Sequence, residues 1–293
     1  MIVSKNDKLI SIIINCYNGD KYLDETILSV LGQTYCNWEL IFWDNQSNDS
    51  SKDIFNKYHD ERLQYYYSEE HTSLSKARNL ALSKITGNYF CFLDSDDVWN
   101  PLKLEKQIEE FERFTDLGFT YSRFDILTTG LIQNNVQFDY YNSINCVPHE
   151  KQNLYKRLLL GNYIIFSSIL FRKIDNINNI KINESLNQNE DYDFLLKYSL
   201  LYDATCIDCI TTKYRIHNSN NSLKNLKLNF VENALIFKSL PQSKEVIFSI
   251  KKNKFAENYF QLKHEGNINA FFKIFNLHSL LIIVKFLLKK LHN

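Results

Sequence analysis

The chain has 293 residues, 44% of them hydrophobic and 14% aromatic, which excludes a disordered protein and suffices to bury a sizeable core. Its 34 basic and 34 acidic side chains cancel, but the residues from 222 onward carry twelve lysines against four glutamates, which puts +8 on this tail and −8 on the remainder. The acidic body argues against a nucleic-acid partner, and the basic tail suits an anionic surface. Six scattered cysteines and a polar start without a signal peptide lead us to expect a reducing cytoplasm.

The first third of the chain alternates between apolar runs and amphipathic segments. The predicted strands cover 9–16, 39–44, 63–68 and 89–94, and the predicted helices cover 22–31, 50–58 and 73–85. Repeated strand-helix units imply an α/β fold with a mostly parallel, Rossmann-like sheet that helices cover on both faces. In such sheets, ligands bind beyond the carboxyl ends of the strands.

The residues at the ends of three of these strands are unusually polar. They include Tyr17 and Asn18 after the first strand, Asp44 and Ser47 at and after the second, and Asp94, Asp96 and Asp97 at and after the fourth. The first turn lacks a GxGxxG pattern, which disfavours a dinucleotide site, and the absence of GxxxxGK[ST] excludes a P-loop. A ligand at this edge would therefore not be held by a glycine-rich loop.

Three aspartates lie within the four residues DSDD (94–97), where like charges repel one another unless water or a cation screens them. Helix capping accounts for one acid at most, because Asn100 and Pro101 already supply a cap and a first-turn proline for the next amphipathic segment. Asp94 and Asp96 point the same way in an extended backbone, as a site for Mg²⁺ or Mn²⁺ and a phosphate requires. A solvated acidic loop is the alternative.

The rest of the chain carries weaker patterns. Residues 114–163 are hard to assign, whereas NEDYD (189–193) precedes a helical pattern, so its acids lie at or near a helix N-terminus. CIDCITTKYRI (206–216) is typical of a strand. We assign its CxxC pair, Cys206 and Cys209, to the core, because a zinc site would need two further ligands at suitable spacing.

The last segment, 269–293, is both apolar and basic. His278 and Lys285 interrupt it, which leaves too short a clean run for a membrane span of about 20 apolar residues. Two interpretations stay open: an interfacial amphipathic helix whose lysines contact anionic lipid, and a helix that packs on the body of the protein.

Six segments resemble, in order and at about the same spacing, the motifs of family 2 glycosyltransferases. They are SIIINCYN, IFWDNQSND, SLSKARNLAL, GNYFCFLDSDDVWNP, NEDYDFLLK and YRIH, within about the first 220 residues. The resemblance implies an A-type glycosyltransferase fold and inverting transfer from a nucleotide sugar. We expect a catalytic domain over 1–220, with a nucleotide-binding half of about 1–115 and an acceptor half of about 116–220, followed by a helical basic region at 221–293.

The resemblance also implies roles on the nucleotide side of the site. Tyr17 resembles the aromatic residue that flanks the nucleotide base, and Asn18 shapes the same turn. Asp44 resembles the carboxylate that hydrogen-bonds the base, with Ser47 in its loop, and Arg78 resembles the basic residue near the diphosphate or the aspartate cluster. Taken alone, Tyr17 could be a surface aromatic, Asp44 a helix-entry acid and Arg78 a helix-surface charge.

At the aspartate cluster, the resemblance implies that Asp94 contacts the ribose or the sugar and that Asp96 binds the metal between the two phosphates. His217 matches a histidine that in some relatives reaches the metal or the diphosphate, although a lone histidine is more often structural. Asp191 matches the catalytic carboxylate that takes the proton of the acceptor hydroxyl. Its acidic neighbours in NEDYD are close rivals, and favourable placement at a helix start is the alternative for all three.

These roles lead us to expect a metal-dependent glycosyltransferase that uses Mn²⁺ or Mg²⁺. It would transfer a sugar, with a UDP-sugar as the expected donor, to a hydroxyl of a saccharide or lipid-linked glycan in surface polysaccharide or glycoconjugate synthesis. We expect it in the cytoplasm, peripherally at the inner face of the plasma membrane if the tail binds lipid. A sugar-nucleotidyltransferase and a non-catalytic nucleotide-sugar-binding protein of the same fold are the alternatives.

Two departures from the family pattern bear on the geometry of the donor loops. The loop EEHTSLSK (69–76) contains no glycine, although relatives have one before the ARN motif. Cys16 stands where the first motif has a proline. Each carboxylate position of the family pattern is kept, so these changes bear on loop shape more than on activity.

Overall fold

The computed structural model describes residues 8–128, 148–174, 181–217, 220 and 225–265. The chain divides into two compact units, one formed by 1–158 and 162–218 and the other by 159–161 and 219–293. The first unit carries the sheet, and the described part of the second unit is mainly helical. The functional halves expected on either side of residue 115 stay a prediction.

Within its described residues, the first unit holds a nine-stranded sheet and six α-helices. The strands are β1 (Ile10–Cys16), β2 (Trp38–Asp44), β3 (Leu63–Tyr67), β4 (Tyr89–Phe92), β5 (Val98–Trp99), β6 (Phe119–Thr128), β7 (His149–Gln152), β8 (Ile169–Arg172) and β9 (Ala204–Ile216). The helices are α1 (Asp20–Leu31), α2 (Ser51–Phe55), α3 (Leu74–Leu82), α4 (Lys103–Arg113), α5 (Tyr155–Leu158) and α6 (Glu190–Leu201).

The strands follow the order β3-β2-β1-β4-β8-β6-β9-β5, with β7 paired to β9. The four longest pairings, β1 with β2, β1 with β4, β2 with β3 and β6 with β9, are parallel. The antiparallel pairings involve β5, β7 and β8, each of four residues or fewer, which is too short to give a periodic pattern in the sequence. The predicted mostly parallel α/β sheet is therefore confirmed.

The centre of the sheet is buried on both faces. In β1, Ile10, Ile12, Ile13 and Ile14 are all fully buried, and every residue of β2 is buried as well. Burial of one such side chain contributes about 1.5–3 kcal/mol relative to exposure. A strand that is covered on both faces has an almost continuous apolar sequence, which explains why these strands were predictable. They form a rigid base for the loops that follow them.

Two predicted helix starts can be compared with the structure. Helix α6 begins at Glu190, so the acids of NEDYD lie in its first turn, as predicted. Helix α4 begins at Lys103, two residues after Pro101, and Asn100 Oδ1 accepts the N–H of Leu102 (3.0 Å). The N-cap is Leu102, so the prediction of Asn100 as the cap and of Pro101 in the first turn is wrong, and both residues precede the helix. Asn100 still supports the entry into α4 through its hydrogen bond, and the aspartates of DSDD are engaged elsewhere.

Strand β9 connects the far end of the first unit to the aspartate cluster. Val98 of β5 lies opposite Lys213 of β9 in an antiparallel pair. The residues after Lys213 therefore run back along the residues that precede Val98. This pairing brings Arg215 and His217 to the DSDD segment.

The CxxC pair also lies on β9. Cys206 is buried, as the core interpretation predicts, but Cys209 is only half-buried, so the prediction is wrong for Cys209. The pairing of β9 with β6 is irregular just after Cys206. The cysteines within the described ranges are all free; they are Cys16, Cys36, Cys91, Cys206 and Cys209.

The second unit contains α7 (Leu226–Ser239) and α8 (Lys244–Glu265). The rings of Phe230 and Phe260 lie 5.6 Å apart, and Asn253 Nδ2 donates to the Phe230 carbonyl (2.8 Å). Among the helices that the structure describes, none has the length and apolar character that a membrane crossing requires. The predicted interfacial helix at 269–293 lies outside the described residues.

Candidate active site

Hydrogen bonds connect the loops that follow β1 and β2 at the carboxyl end of the sheet. Asn18 has a φ of 53°, in the left-handed region that asparagine tolerates better than most residues. Its N–H donates to Ser47 Oγ (3.0 Å), and its Oδ1 accepts the N–H of Asn48 (2.9 Å). Tyr17, one residue earlier, is 52% exposed. The Tyr17 ring is therefore available to a planar ligand beside a braced turn.

Asp44 ends β2 and is fully buried. Its Oδ1 accepts the N–H of Ser47 (2.7 Å), and its Oδ2 accepts the hydroxyl of Tyr65 (2.6 Å). These bonds make Asp44 a brace for the loop that follows it. Each carboxylate oxygen has a second acceptor position. The predicted contact with a nucleotide base would have to reach this buried carboxylate.

His71 is a candidate that the motifs did not single out. Its ring lies 4.3 Å from the ring of Tyr17, centroid to centroid, with the planes tilted by 48°. Its Nδ1 lies 2.9 Å from the Asn45 carbonyl, which can only accept, so Nδ1 carries the proton. The glycine-free loop EEHTSLSK was the one sequence signal of this arrangement. The two rings form an aromatic surface at the end of β1.

The loop after β1 also approaches the aspartate cluster closely. A Cβ added at Gly19 would lie 3.0 Å from Ser95 Oγ and 2.9 Å from Cys16 Sγ, closer than a side chain tolerates. On α1, Thr26 Oγ1 donates to the carbonyl of Asp97 (2.8 Å). Glycine at position 19 thus lets the two loops meet.

The three aspartates of the cluster each have a different partner. Asp94 Oδ1 accepts from Arg78 Nη2 (3.0 Å), and Asp96 Oδ2 lies 2.7 Å from His217 Nε2. Asp97 is fully buried, and its Oδ1 accepts the N–H of Arg215 (2.9 Å). Burial, followed by the charges of the other two aspartates, raises the pKa of Asp97 well above its usual range. Asp97 therefore supports the turn, whereas Asp94 and Asp96 are partly exposed.

Arg215 organises the backbone of this turn. Its Nε donates to the Asp96 carbonyl (2.6 Å), and its Nη2 pairs with Glu25 of α1. The guanidinium lies 4.4 Å from the centre of the Tyr22 ring, also on α1. Glu25 and Tyr22 could not be predicted as part of the site, because nothing local distinguishes them from other residues of an amphipathic helix. Arg215 links α1, β9 and the aspartate cluster.

The acids at the start of α6 are clearly different from one another in the structure. Glu190 is buried and accepts from Arg78 Nη1 (2.7 Å). Asp193 is buried and pairs with Lys197 (2.6 Å). Asp191 is partly exposed and forms no salt bridge within the described residues. Of the three rivals, Asp191 is the one that a substrate could reach.

The environment of Asp191 favours its protonated form. Burial within the site, and next the charge of Glu190, raise the pKa of Asp191 to about 7, although Arg78 acts in the opposite direction. A general base works best when its pKa lies near the operating pH. The arrangement therefore suits a carboxylate that accepts a proton near neutrality.

The donor set at the aspartate cluster fits a divalent cation. Carboxylate oxygens suit Mg²⁺ and Mn²⁺, and neutral imidazole is a common metal ligand. In the structure, Asp96 Oδ2 accepts a hydrogen bond from His217 Nε2, so a bound cation would replace the proton between these two atoms. In the part of the chain that the structure describes, no group of three His, Cys, Asp or Glu side chains could hold a metal alone. Two protein donors match a cation whose shell substrate phosphates complete.

The fold, with acids at the carboxyl ends of its strands, is that of an A-type glycosyltransferase. TarS of S. aureus, solved in complex with UDP-GlcNAc, matches with a TM-score of 0.69 at 19% identity, over 87% of this chain and 76% of that chain. The mannosyltransferase PcManGT of Pyrobaculum calidifontis, solved with GDP-Man and Mn²⁺, matches with a TM-score of 0.64 at 12% identity, over 96% and 80%. At these identities, the likeness shows the fold alone.

The chain belongs to glycosyl transferase family 2, whose family model matches residues 11–177. WfgD of Escherichia coli, named as a UDP-Glc:alpha-D-GlcNAc-diphosphoundecaprenol beta-1,3-glucosyltransferase, is 31% identical over 85% of this chain and 97% of WfgD. TuaG of Bacillus subtilis (strain 168), a glycosyltransferase named for teichuronic acid biosynthesis, is 44% identical over 38% of this chain. That match spans 46% of TuaG, less than half its length. The resemblance found in the motifs is confirmed, and the protein is a glycosyltransferase.

Proposed function

We propose that this glycosyltransferase takes the sugar from a UDP-sugar and, with a divalent cation bound, transfers it with inversion to a hydroxyl of a saccharide or lipid-linked glycan. The observation that carries the proposal is the contact of Arg78 with both Asp94 and Glu190. It brings the aspartate cluster and the acidic start of α6 to one site. Direct displacement needs groups for the leaving diphosphate and a base for the acceptor around the same sugar.

On the leaving-group side, Asp96 and His217 would hold the cation. Mn²⁺ or Mg²⁺ would offset the charge that develops on the departing nucleoside diphosphate. Asp94, which Arg78 holds through Oδ1, would contact the ribose or the sugar with its second oxygen. Arg215 would keep the backbone of Asp96 in place through its hydrogen bond to the carbonyl.

On the acceptor side, Asp191 would act as the general base. Its carboxylate would take the proton from the acceptor hydroxyl as that oxygen forms a bond to the anomeric carbon. The bond from the anomeric carbon to the diphosphate oxygen breaks on the opposite side, so the configuration inverts. A pKa of about 7 for Asp191 supports this role, because the carboxylate then has real basicity near neutral pH.

The nucleotide would lie on the aromatic surface after β1. Tyr17 would flank the base, Asn18 and Ser47 would hold the shape of the turn, and Asp44 would receive a hydrogen bond from the base. Support for uridine as the nucleoside comes from the UDP-Glc named for WfgD. Tyr17 is exposed enough to stack on a base.

The proposed acceptor and location are supported by one relative and by the charge of the tail. WfgD is named for an acceptor on diphosphoundecaprenol, a lipid carrier, and it covers most of this chain. A basic tail with twelve lysines against four glutamates suits the anionic face of the membrane that holds such a lipid. We therefore place the protein in surface polysaccharide synthesis, peripherally at the inner face of the plasma membrane.

The test is a screen of the purified full chain against UDP-, GDP-, CDP- and dTDP-sugars, with Mn²⁺, with Mg²⁺ and with a chelator. We expect a UDP-sugar to raise the melting temperature and to be turned over with a lipid-linked saccharide as acceptor, both only when the cation is present. Turnover that survives the chelator would refute metal dependence. If no nucleotide sugar is bound or turned over under any of these conditions, the proposal is wrong.

A further inference from the structure

Helix α3 presents one face to the chain segment that leads into α6. Asn79 Nδ2 donates to the Ile182 carbonyl (2.9 Å), and Asn79 Oδ1 accepts the N–H of Ile182 (3.0 Å). Ser75 Oγ donates to the Leu186 carbonyl. Ser75, Arg78 and Asn79 are spaced i, i+3 and i+4, so they share one side of the helix. The SLSKARN motif therefore fixes the segment around 182–186 that leads into α6.

Arg78 is the charged member of this face. The residue is 5% exposed, with Nη1 on Glu190 Oε1 (2.7 Å) and Nη2 on Asp94 Oδ1 (3.0 Å). Its guanidinium lies 5.0 Å from the ring centre of Phe166 and 5.7 Å from that of Phe92, and these rings stack on each other. A planar guanidinium packed on aromatic rings loses little further freedom when it forms two directed bonds. Arg78 is thus fixed between two carboxylates.

We propose that Arg78 is a positioning residue that couples the donor site to the catalytic base; this rests on the proposed function, in which Asp94 faces the donor and Asp191 is the base. One guanidinium holds Asp94 with one nitrogen and Glu190 with the other. The orientation of Asp94 and the start of α6 are therefore set together. Asp191 follows Glu190 directly, so its position depends on the same contact. Arg78 acts on the donor through Asp94 and not by binding the diphosphate.

The charges around Asp191 make this role measurable. Among the described residues, the charged groups that act on Asp191 come from three elements: Glu190 on α6, Arg78 on α3 and Asp94 after β4. Burial raises the pKa of Asp191 most, the two carboxylates raise it further, and Arg78 lowers it. Without the guanidinium, the base would face two like charges and would keep its proton to higher pH. A residue that only stabilised the fold would not move the pH dependence of the reaction.

The test compares Arg78→Met and Arg78→Lys with Lys76→Met as the matched control. Lys76 lies two residues earlier in the same helix, and its partner Glu70 is exposed. For each variant, kcat is measured around neutral pH with the nucleotide sugar that the wild type turns over. The affinity for UDP with Mn²⁺ is measured separately by calorimetry.

We expect Arg78→Met to lower kcat by about 10²-fold, which is the effect of a misplacement of about 1 Å. In this variant, the rise of kcat with pH (the rising pH limb) should occur at higher pH, while the affinity for UDP stays close to the wild-type value. Arg78→Lys keeps the charge, so the limb should stay in place. Its kcat should still fall, because an ammonium group does not hold two carboxylates in a fixed geometry. Lys76→Met should match the wild type throughout.

Two results would overturn the inference. A large loss of UDP affinity in Arg78→Met, with an unmoved pH limb, would make Arg78 a direct donor ligand. If kcat falls by the same factor at every pH in both variants, Arg78 has only a structural role. If Arg78→Met does not fold, Arg78→Gln, which keeps hydrogen-bond donors but loses the charge, takes its place: a rise of kcat that moves to higher pH supports coupling, and an unmoved pH dependence refutes it. A wild type that binds UDP but turns over no nucleotide sugar would instead refute the proposed function.

Discussion

Replacement of Asp191 with Asn should remove the proton acceptor and leave the nucleotide site intact. The two side chains have the same shape, and Asp191 contributes no salt bridge within the described residues. In the wild type, the pKa of Asp191 is raised to about 7 by burial and by the charge of Glu190. An ordinary aspartate titrates near pH 4. The environment thus moves the titration of this carboxylate into the neutral range.

The size of the effect follows from this pKa. A base accepts a proton only in its deprotonated form, so activity is present above the pKa and is lost as the pH falls through it. With a pKa of about 7 for Asp191, roughly a tenth of the enzyme is active at pH 6 and about nine tenths at pH 8. We expect kcat to rise about tenfold over this range, and Asp191→Asn to lower it by about 10²–10⁴-fold.

The assay measures UDP release in the presence of acceptor across this pH range, together with UDP affinity by calorimetry. The matched control is Asp208→Asn, the same chemical change at an exposed carboxylate that pairs with Arg123. We expect the control to keep the wild-type profile and Asp191→Asn to keep the UDP affinity. A wild-type profile that is flat between pH 6 and pH 8 would refute the raised pKa. Transfer at the wild-type rate by Asp191→Asn would refute the assignment of the base.

Three further substitutions test other parts of the site. His217→Ala should raise the Mn²⁺ concentration needed for half-maximal activity by at least about tenfold, and an unchanged Mn²⁺ titration would argue against a metal ligand. His71→Ala should weaken UDP binding by about 1–3 kcal/mol through lost stacking, whereas His71→Phe should retain it; calorimetry distinguishes these outcomes. Arg215→Met should lower the free energy of unfolding in urea by about 1.5–3 kcal/mol, because hydrogen bonds from a buried charged donor are lost. Wild-type stability of this variant would contradict its role in the turn.

The long strands of the sheet were predictable because each is specified by its own residues. A strand buried on both faces must be apolar throughout, so β1 and β2 are visible as continuous runs. β5 has only two residues, and it exists because β9 lies beside it. A pairing of that kind depends on residues more than 100 positions away and leaves no local pattern.

For the acids of the site, too, some features were predictable from the local sequence and others depend on distant residues. The DSDD and NEDYD motifs were visible in the sequence, as was the argument that capping does not account for three aspartates. Which acid of NEDYD stays partly exposed was not visible, because Glu190 and Asp193 differ from Asp191 only through their burial and their partners. Lys197 is four residues from Asp193, but Arg78 is 112 residues from Glu190.

The sequence by itself determined the α/β class, the family and the edge of the sheet where the candidate site lies. These follow from periodicity and from motifs that are contiguous in the chain. Only the tertiary structure decided that Asp44 is buried as a brace, that His71 faces Tyr17 and that Arg78 joins Asp94 to Glu190. The physical reason is that burial and ion pairing depend on which distant segments meet, and chain order does not specify those neighbours.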